Sequence, residues 1–308
     1  MKRVLVTGAS GFIGSHALEP LVDRGYDVHA VASRGIPFEL EGVTWYQANL
    51  LDDAARGALV SSVEPTHLLH LAWFVAPGKV IDAAVNLDWT RTSLALYEEF
   101  VASGGLRAVT AGSSYEYDWR FGYCSEEVTP LVPDTLYGSC KKALGEVVSA
   151  YAEACGLASA WPRIFFLYGP REHPDRLVSS VVRNLLADAP ALCSHGEQIR
   201  DYLYVQDAAD ALVVLLDGDV VGPVNIASGN PITLKDLVLT IGDKLNRPDL
   251  IRLGAIPARA NDAPLVVADV GRLTNVVGWT PSHGLDSGLE RTIEWWSDVR
   301  ASQELAGR

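Results

Sequence analysis

The first twenty-five residues narrow the fold more than any other stretch of the chain. Arg3-Val4-Leu5-Val6-Thr7 is a short apolar run that ends in Gly8-Ala9-Ser10-Gly11-Phe12-Ile13-Gly14. Ser15 to Arg24 then reads as a helix stopped by Gly25. A continuous apolar run bounded by turn residues is the pattern of a strand buried on both faces of a parallel sheet. Strand, glycine-rich turn and helix in immediate succession let the backbone turn sharply and approach a pyrophosphate, whose charge then rests at the helix N-terminus. The spacing is GxxGxxG rather than GxGxxG, and a turn that needs its glycines only for packing is the alternative. The expectation is α/β, a doubly wound parallel sheet, with Gly8, Ser10, Gly11, Phe12, Ile13 and Gly14 lining a dinucleotide site.

Strand and helix keep alternating. Tyr26–Ala32 reads as the second strand, Thr44–Ala48 as the third, His67–Ala72 as the fourth and Leu106–Ser114 as the fifth. Between them lie a helix over 53–63, capped by Asp52, and a long helical stretch over 79–103 with Asn86 inside it. Ligands of open α/β sheets sit at the carboxyl ends of the strands, which adds Asn49, Leu50, Leu71 and Ala72 to the cofactor candidates. An enzyme selecting NAD usually places an acid after the second strand to bond the ribose 2′-hydroxyl. Here the chain reads Ser33-Arg34-Gly35, with no acid until Glu39. A hydroxyl and a planar guanidinium fork suit a 2′-phosphate, so NADP(H) is expected ahead of NAD(H). His70 is read as a core or cofactor-lining histidine.

The rhythm breaks after Tyr168-Gly169-Pro170, where Gly, Pro, His and Arg become frequent up to residue 204. The expected division is 1–168 as the dinucleotide-binding domain, with 200–228 returning to it. Residues 169–199 and 229–308 then form a smaller substrate-binding region. With a net charge of −13 over 308 residues, the chain is not expected to bind nucleic acid or an anionic membrane surface. Four cysteines, Cys124, Cys140, Cys155 and Cys193, show no CxxC pair, so no metal site or disulfide framework is expected. The chain opens directly on a strand and has no apolar run of about 18 residues, so a cytoplasmic protein is expected.

Chemistry is carried by Thr135-Leu136-Tyr137-Gly138-Ser139-Cys140-Lys141-Lys142, at the start of a helix running to about Cys155. Residues four apart share a helix face, which makes Tyr137 and Lys141 neighbours. A free tyrosine hydroxyl titrates near ~10, and an ammonium beside it favours the phenolate and brings the group toward acid–base work.

Thr7–Gly14 (TGASGFIG), the Ser113-Ser114 strand end, Tyr137-x-x-x-Lys141, Arg163 with Tyr168–Pro170, and Arg200-Asp201-Tyr202 with Val205-x-Asp207 together resemble the extended short-chain dehydrogenase/reductase family. Within it the chain is similar to the NAD(P)-dependent nucleotide-sugar epimerase, dehydratase and ketoreductase branch. Asn225-Ile226-Ala227-Ser228-Gly229, Asp269 to Arg272, and Gly278-Trp279-x-Pro281 agree, so the resemblance spans almost the whole chain. It implies a Rossmann-type sheet and a homodimer through two helices. It also implies a catalytic Ser113–Tyr137–Lys141 set: Tyr137 as acid or base, and Lys141 holding the nicotinamide ribose as well as tuning the tyrosine. Asn86 loosely matches a helix asparagine that buttresses the lysine. Ser114 and Tyr115 would line the substrate. Arg200, with Arg259 as a second candidate, would grip the diphosphate of a nucleoside-diphosphate sugar.

Departures from the branch's patterns narrow the reaction. Its 4,6-dehydratases carry Asp-Glu directly after the catalytic Ser/Thr, where this chain has Ser114-Tyr115. Glu116 is one place out of register, which on a strand turns it to the other face. Tyr115 occupies the place of a cysteine acid/base in related epimerase–reductases. NADPH-dependent reduction of the 4-keto group of a nucleoside-diphosphate 4-keto-6-deoxy sugar is therefore expected. An NAD-dependent 4-epimerase is the alternative, ahead of a reductase of other carbonyl compounds, a 4,6-dehydratase or a non-catalytic dinucleotide sensor.

Overall fold

Val4, Leu5 and Val6 have no exposed surface, and the strand they form, β1 (Arg3–Thr7), lies in the middle of the larger sheet. The computed structural model describes residues 2–258 and 262–306. After β1 come α1 (Gly14–Asp23), β2 (Asp27–Ala32), β3 (Val43–Gln47), α2 (Asp53–Val63), β4 (His67–His70), α3 (Val85–Ala102), β5 (Arg107–Thr110) and the short β6 (Gly112–Ser113). Next are β7 (Tyr123–Cys124), α4 (Leu136–Cys155), β8 (Ala158–Ile164), β9 (Phe166–Tyr168), α5 (Leu177–Leu186), β10 (Ala191–Leu192), β11 (Ile199–Tyr204) and α6 (Val205–Asp217). The chain continues with β12 (Gly222–Ile226), β13 (Pro231–Thr233), α7 (Leu234–Lys244) and β14 (Ile251–Arg252). It finishes with β15 (Leu265–Ala268), α8 (Gly271–Asn275) and α9 (Leu285–Ala306).

The larger sheet runs β3-β2-β1-β4-β5-β8-β12, with β6 also beside β8, and its pairings are parallel. The chain leaves β1 toward β3 on one side and resumes at β4 on the other. That reversal opens a crevice at the carboxyl ends of β1 and β4. Alternate residues of β1 feed two cores. Val4 and Val6 pack with Leu18 and Leu21 of α1 and Leu212 of α6, while Leu5 packs with Leu96 of α3 and Leu144 and Val148 of α4. Both faces being covered explains why β1 reads as an unbroken apolar run.

A second sheet, β13-β11-β15-β7 with β9 on β11, is reached from the carboxyl end of β8, which β9 follows after Phe165. Of residues 200–228, α6 packs on α1 and β12 joins the first sheet, whereas β11 belongs to the second. No described helix is long and apolar enough to cross a membrane.

Helix α4 is defined at both ends. Thr135 accepts from the Gly138 amide at 3.0 Å, and Gly156 closes the helix at φ 73°. Its buried stripe is Lys141, Leu144, Val148 and Ala152, a spacing that puts a lysine among core residues. Gly138 lets the helix approach the chain before it, since a Cβ there would collide with the backbone oxygen of Tyr115. The expected helix over 79–103 begins only at Val85. Residues 74–84, with Pro77-Gly78 as helix breakers, form a loop whose Ile81 carbonyl accepts from the Tyr137 amide at 2.9 Å. Asn86 therefore sits in the first turn of α3, not in its middle.

Replacing Gly138 by Ala should shift the first turn of α4 and lower unfolding stability by about 1–3 kcal/mol, the usual cost of overpacking. Urea denaturation checks this, and an unchanged midpoint contradicts the packing described.

Candidate active site

The crevice over β1 and β4 is built on a close backbone approach. Gly8 has φ 69°, and a Cβ on it would lie 2.7 Å from the Ala72 amide nitrogen. Thr7 Oγ1 accepts from that amide at 3.3 Å and bonds His70 Nδ1 at 2.6 Å, while His70 Nε2 bonds Ser93. Burial holds His70 down to about 3, so it is a neutral core histidine behind the crevice. Helix α1 starts here with no side chain capping it and no acid in its first turn. A bare helix N-terminus beside a glycine turn fits a dinucleotide pyrophosphate. Ser10 and Gly11 are exposed on this turn beside Phe12, Ile13 and Gly14, while Asn49, Leu50, Leu71 and Ala72 follow β3 and β4. Ser33 and Arg34 stand exposed just past β2, and Glu39 is the first acid after them.

Tyr137, Lys141 and Ser113 converge on one side of this crevice. Ser113 ends β6, and its hydroxyl lies near enough to Tyr137 to draw the tyrosine toward greater acidity. Burial outweighs that effect and pushes Tyr137 up to about 12. Lys141 is 3% exposed; its Nζ donates to the Ala111 carbonyl at 2.7 Å and lies 3.7 Å from the centre of the Trp73 ring. Burial brings it down to about 7, against the pull of the Glu116 carboxylate. Desolvation of both groups wins, and Tyr137 holds its proton more firmly than a free tyrosine.

Asn86 reaches the lysine through an intermediary. It accepts from Trp73 Nε1 at 2.8 Å and donates to the Val80 and Ala83 carbonyls. Trp73, so anchored, stacks on Trp89 and covers Lys141. Glu116 is not on a strand: it closes a 3-10 turn over Ser114–Glu116 in which Ser113 and Glu116 cap each other. Its carboxylate is 1% exposed and accepts from the Ser113 amide, Trp161 Nε1 and Arg163 Nε. Ser114 is buried, whereas Tyr115 packs between Tyr137, edge to face, and Trp119, tilted, with ring centres 5.7 and 4.4 Å away.

Arg200 is drawn away from open solvent. Its Nη2 pairs with Asp262 at 2.6 Å, and its guanidinium lies over Phe166, 5.4 Å from the ring centre. Arg259 lies outside the described residues. Asp201 is buried and accepts from the Ser228, Gly229 and Ala268 amides, so it ties β11 to its surroundings rather than facing a ligand. Trp73 and Arg176 were not among the sequence candidates. Arg176, exposed at the start of α5, is close enough to Tyr137 to favour its phenolate. No local pattern marked either residue, but the Ser-x-x-Glu box at 113–116 was legible as a capping signature.

Among the described residues, no group of three His, Cys, Asp or Glu side chains could hold a metal ion. The sequence profile of the NAD-dependent epimerase/dehydratase family matches residues 4–227. A probable UDP-glucuronate 4-epimerase of Rhizobium meliloti (strain 1021) is 26% identical over 340 residues, covering 96% of each chain. A dTDP-glucose 4,6-dehydratase of Neisseria gonorrhoeae is 25% identical over 347 residues, covering 99% of this chain and 98% of its own. Among solved structures, UDP-glucose 4-epimerase of Thermus thermophilus in complex with NAD superposes with a TM-score of 0.85 at 26% identity, covering 96% and 99% of the chains. MoeE5 in complex with UDP-glucuronic acid and NAD superposes with a TM-score of 0.84 at 30% identity, covering 97% and 99%.

The burial of Lys141 has a direct readout. In protein carrying 13C-labelled lysine, the Lys141 Cε resonance, assigned with Lys141→Arg, should titrate near about 7. The ammonium is then the dominant form below that pH and the free amine above it. Titration alongside the exposed lysines would contradict the enclosed site.

Proposed function

Because the chain belongs to the NAD-dependent epimerase/dehydratase family, and is by that membership an oxidoreductase-type enzyme using a nicotinamide dinucleotide, we propose that it is an NADPH-dependent ketoreductase. Its substrate in this reading is a nucleoside-diphosphate 4-keto-6-deoxy sugar reduced at C4. The observation that carries the reading is the Ser33–Arg34 pair, exposed past β2 with no acid before Glu39. A guanidinium fork with a hydroxyl receives a 2′-phosphate, and an acid there would repel it. A cofactor selected by its 2′-phosphate serves a reductant that is consumed and replaced.

Side-chain chemistry favours the same direction. Reduction of a ketone needs a proton donor at the new alkoxide, and Tyr137, pushed up to about 12, is a protonated hydroxyl at neutral pH. Ser113 polarises the ketone oxygen by donating to it. Lys141 holds the nicotinamide ribose, and the glycine turn with the start of α1 holds the pyrophosphate. The bound dihydronicotinamide supplies the hydride, and the protein supplies orientation and electrostatics. Elimination lacks its acid and base, because Ser114 is buried, Tyr115 is packed between aromatic rings, and Glu116 is consumed by Arg163. Arg200 would bind the substrate diphosphate by exchanging Asp262 for it. A homodimer through α3 and α4, which expose Leu87 and Val147, belongs to the same proposal.

The second reading is a 4-epimerase that keeps NAD bound, favoured by the similarity to the UDP-glucuronate and UDP-glucose 4-epimerases. Fluorescence titrations with NADPH and NADH separate the two. The reductase should prefer NADPH, and Arg34→Ala should weaken NADPH by roughly tenfold or more, the worth of a charge-assisted hydrogen bond, leaving NADH unaffected. Protein that purifies with NAD and ignores NADPH would favour the epimerase. In either reading, Tyr137→Phe should keep cofactor binding and lose about 10²–10⁴ in turnover; undiminished turnover would remove Tyr137 from the chemistry.

A further inference from the structure

Glu116 is a buried carboxylate that proton transfer by Ser113, Tyr137 and Lys141 does not use directly. Its three partners converge from separate elements: the Ser113 amide at 2.7 Å, Trp161 Nε1 of β8 at 3.0 Å, and Arg163 Nε of β8 at 2.8 Å. Arg163 is itself buried, donates to the Tyr117 hydroxyl at 3.1 Å and lies over the Tyr117 ring. Tyr117 in turn donates to Asn225 Oδ1 at 2.7 Å. An ionised carboxylate only accepts hydrogen bonds, and every partner here is a donor, so the network requires the anion.

We propose that Glu116 is a positioning residue of the catalytic set. Its carboxylate fixes the Ser113 backbone and supplies the negative field in which Lys141 and Tyr137 hold their protons. The inference rests on the Ser113–Tyr137–Lys141 reading of the site. The geometry supports both parts of the role, because the Ala111 carbonyl that receives Lys141 lies two residues before the Ser113 amide that Glu116 holds. Ser113 and Glu116 form a reciprocal cap, with Ser113 Oγ accepting from the Tyr115 amide at 3.3 Å. The charged and titratable groups facing Lys141 are Glu116, Cys140, the neutral His70 and Tyr137 one helical turn earlier. Those facing Tyr137 are Glu116, Tyr115 and Arg176 beside the Ser113 hydroxyl. Glu116 favours the protonated form of both groups. Arg163, on the far side of the ion pair, offsets that anion.

A partner serving only to neutralise Arg163 would affect folding but not the titration of a lysine on another element. The test is the 13Cε titration of Lys141 in the full chain, read against the other lysines. Glu116→Gln should lower the Lys141 midpoint by about one pH unit or more, a tenfold loss of proton affinity. Arg163→Gln leaves the anion without its counter-charge and should move the midpoint upward. Opposite shifts from the two ends of one ion pair are the mark of a field. A folded Glu116→Gln protein with the wild-type midpoint overturns the proposal. If that variant does not fold, Arg163→Gln is read alone, and an unmoved midpoint overturns it equally. The titration needs no sugar, so its failure is distinguishable from failure of the ketoreductase reading.

Discussion

Lys141 sits where an aliphatic residue would serve packing better. Helix α4 packs its apolar stripe on the larger sheet, and the stripe that buries Leu144, Val148 and Ala152 also buries this amine. A charge taken out of water needs partners or gives up its proton. Lys141 has one carbonyl, at Ala111, and one aromatic face, from Trp73. The amine is consequently poised near neutrality, and the surroundings exist to hold it there. Trp73 is pinned by Asn86, Asn86 by the loop before α3, and that loop by the Tyr137 amide.

The two sheets divide the labour. The larger one sets the crevice, where β1 and β4 part and α1 starts uncapped. The smaller one, with β9 and β11, gathers Phe166, Tyr202 and Arg200 side by side. Between them runs the buried chain Glu116–Arg163–Tyr117–Asn225, with Asn225 Nδ2 donating to the Cys124 and Asp269 carbonyls. Ser113, whose amide Glu116 holds, is therefore tied to the element that joins the sheets. Polar networks of this kind are costly when incomplete and rigid when satisfied.

Local features were legible in the sequence. The strand–turn–helix at residues 3–24, the Asp52 cap and the four-residue spacing of Tyr137 and Lys141 all depend on neighbours in the chain, and the structure contains each of them. Glu116 departs from the expected strand because a capping box bends the chain into a 3-10 turn, whereas strand periodicity assumes an extended backbone. The expected start of α3 is too early because the stretch opens directly after Pro77-Gly78, whereas residues 79–84 still belong to the loop that receives the Tyr137 amide. The pairing of Arg200 with Asp262 spans 62 residues and leaves no local trace. The burial that raises Tyr137 leaves no local trace either: charge proximity can be read from spacing, but desolvation depends on elements distant in sequence.

The central claim is that this site delivers a hydride to a keto sugar from an exchangeable, 2′-phosphorylated cofactor. Incubation with NADPH deuterated at the transferring position of nicotinamide C4 and dTDP-4-keto-6-deoxyglucose, followed by mass spectrometry and NMR of the sugar, tests it most directly. The account predicts one deuterium at C4 of the product and one NADP released for each sugar reduced. A sugar that gains no deuterium, together with interconversion of UDP-glucuronate and its 4-epimer without added dinucleotide, would contradict it.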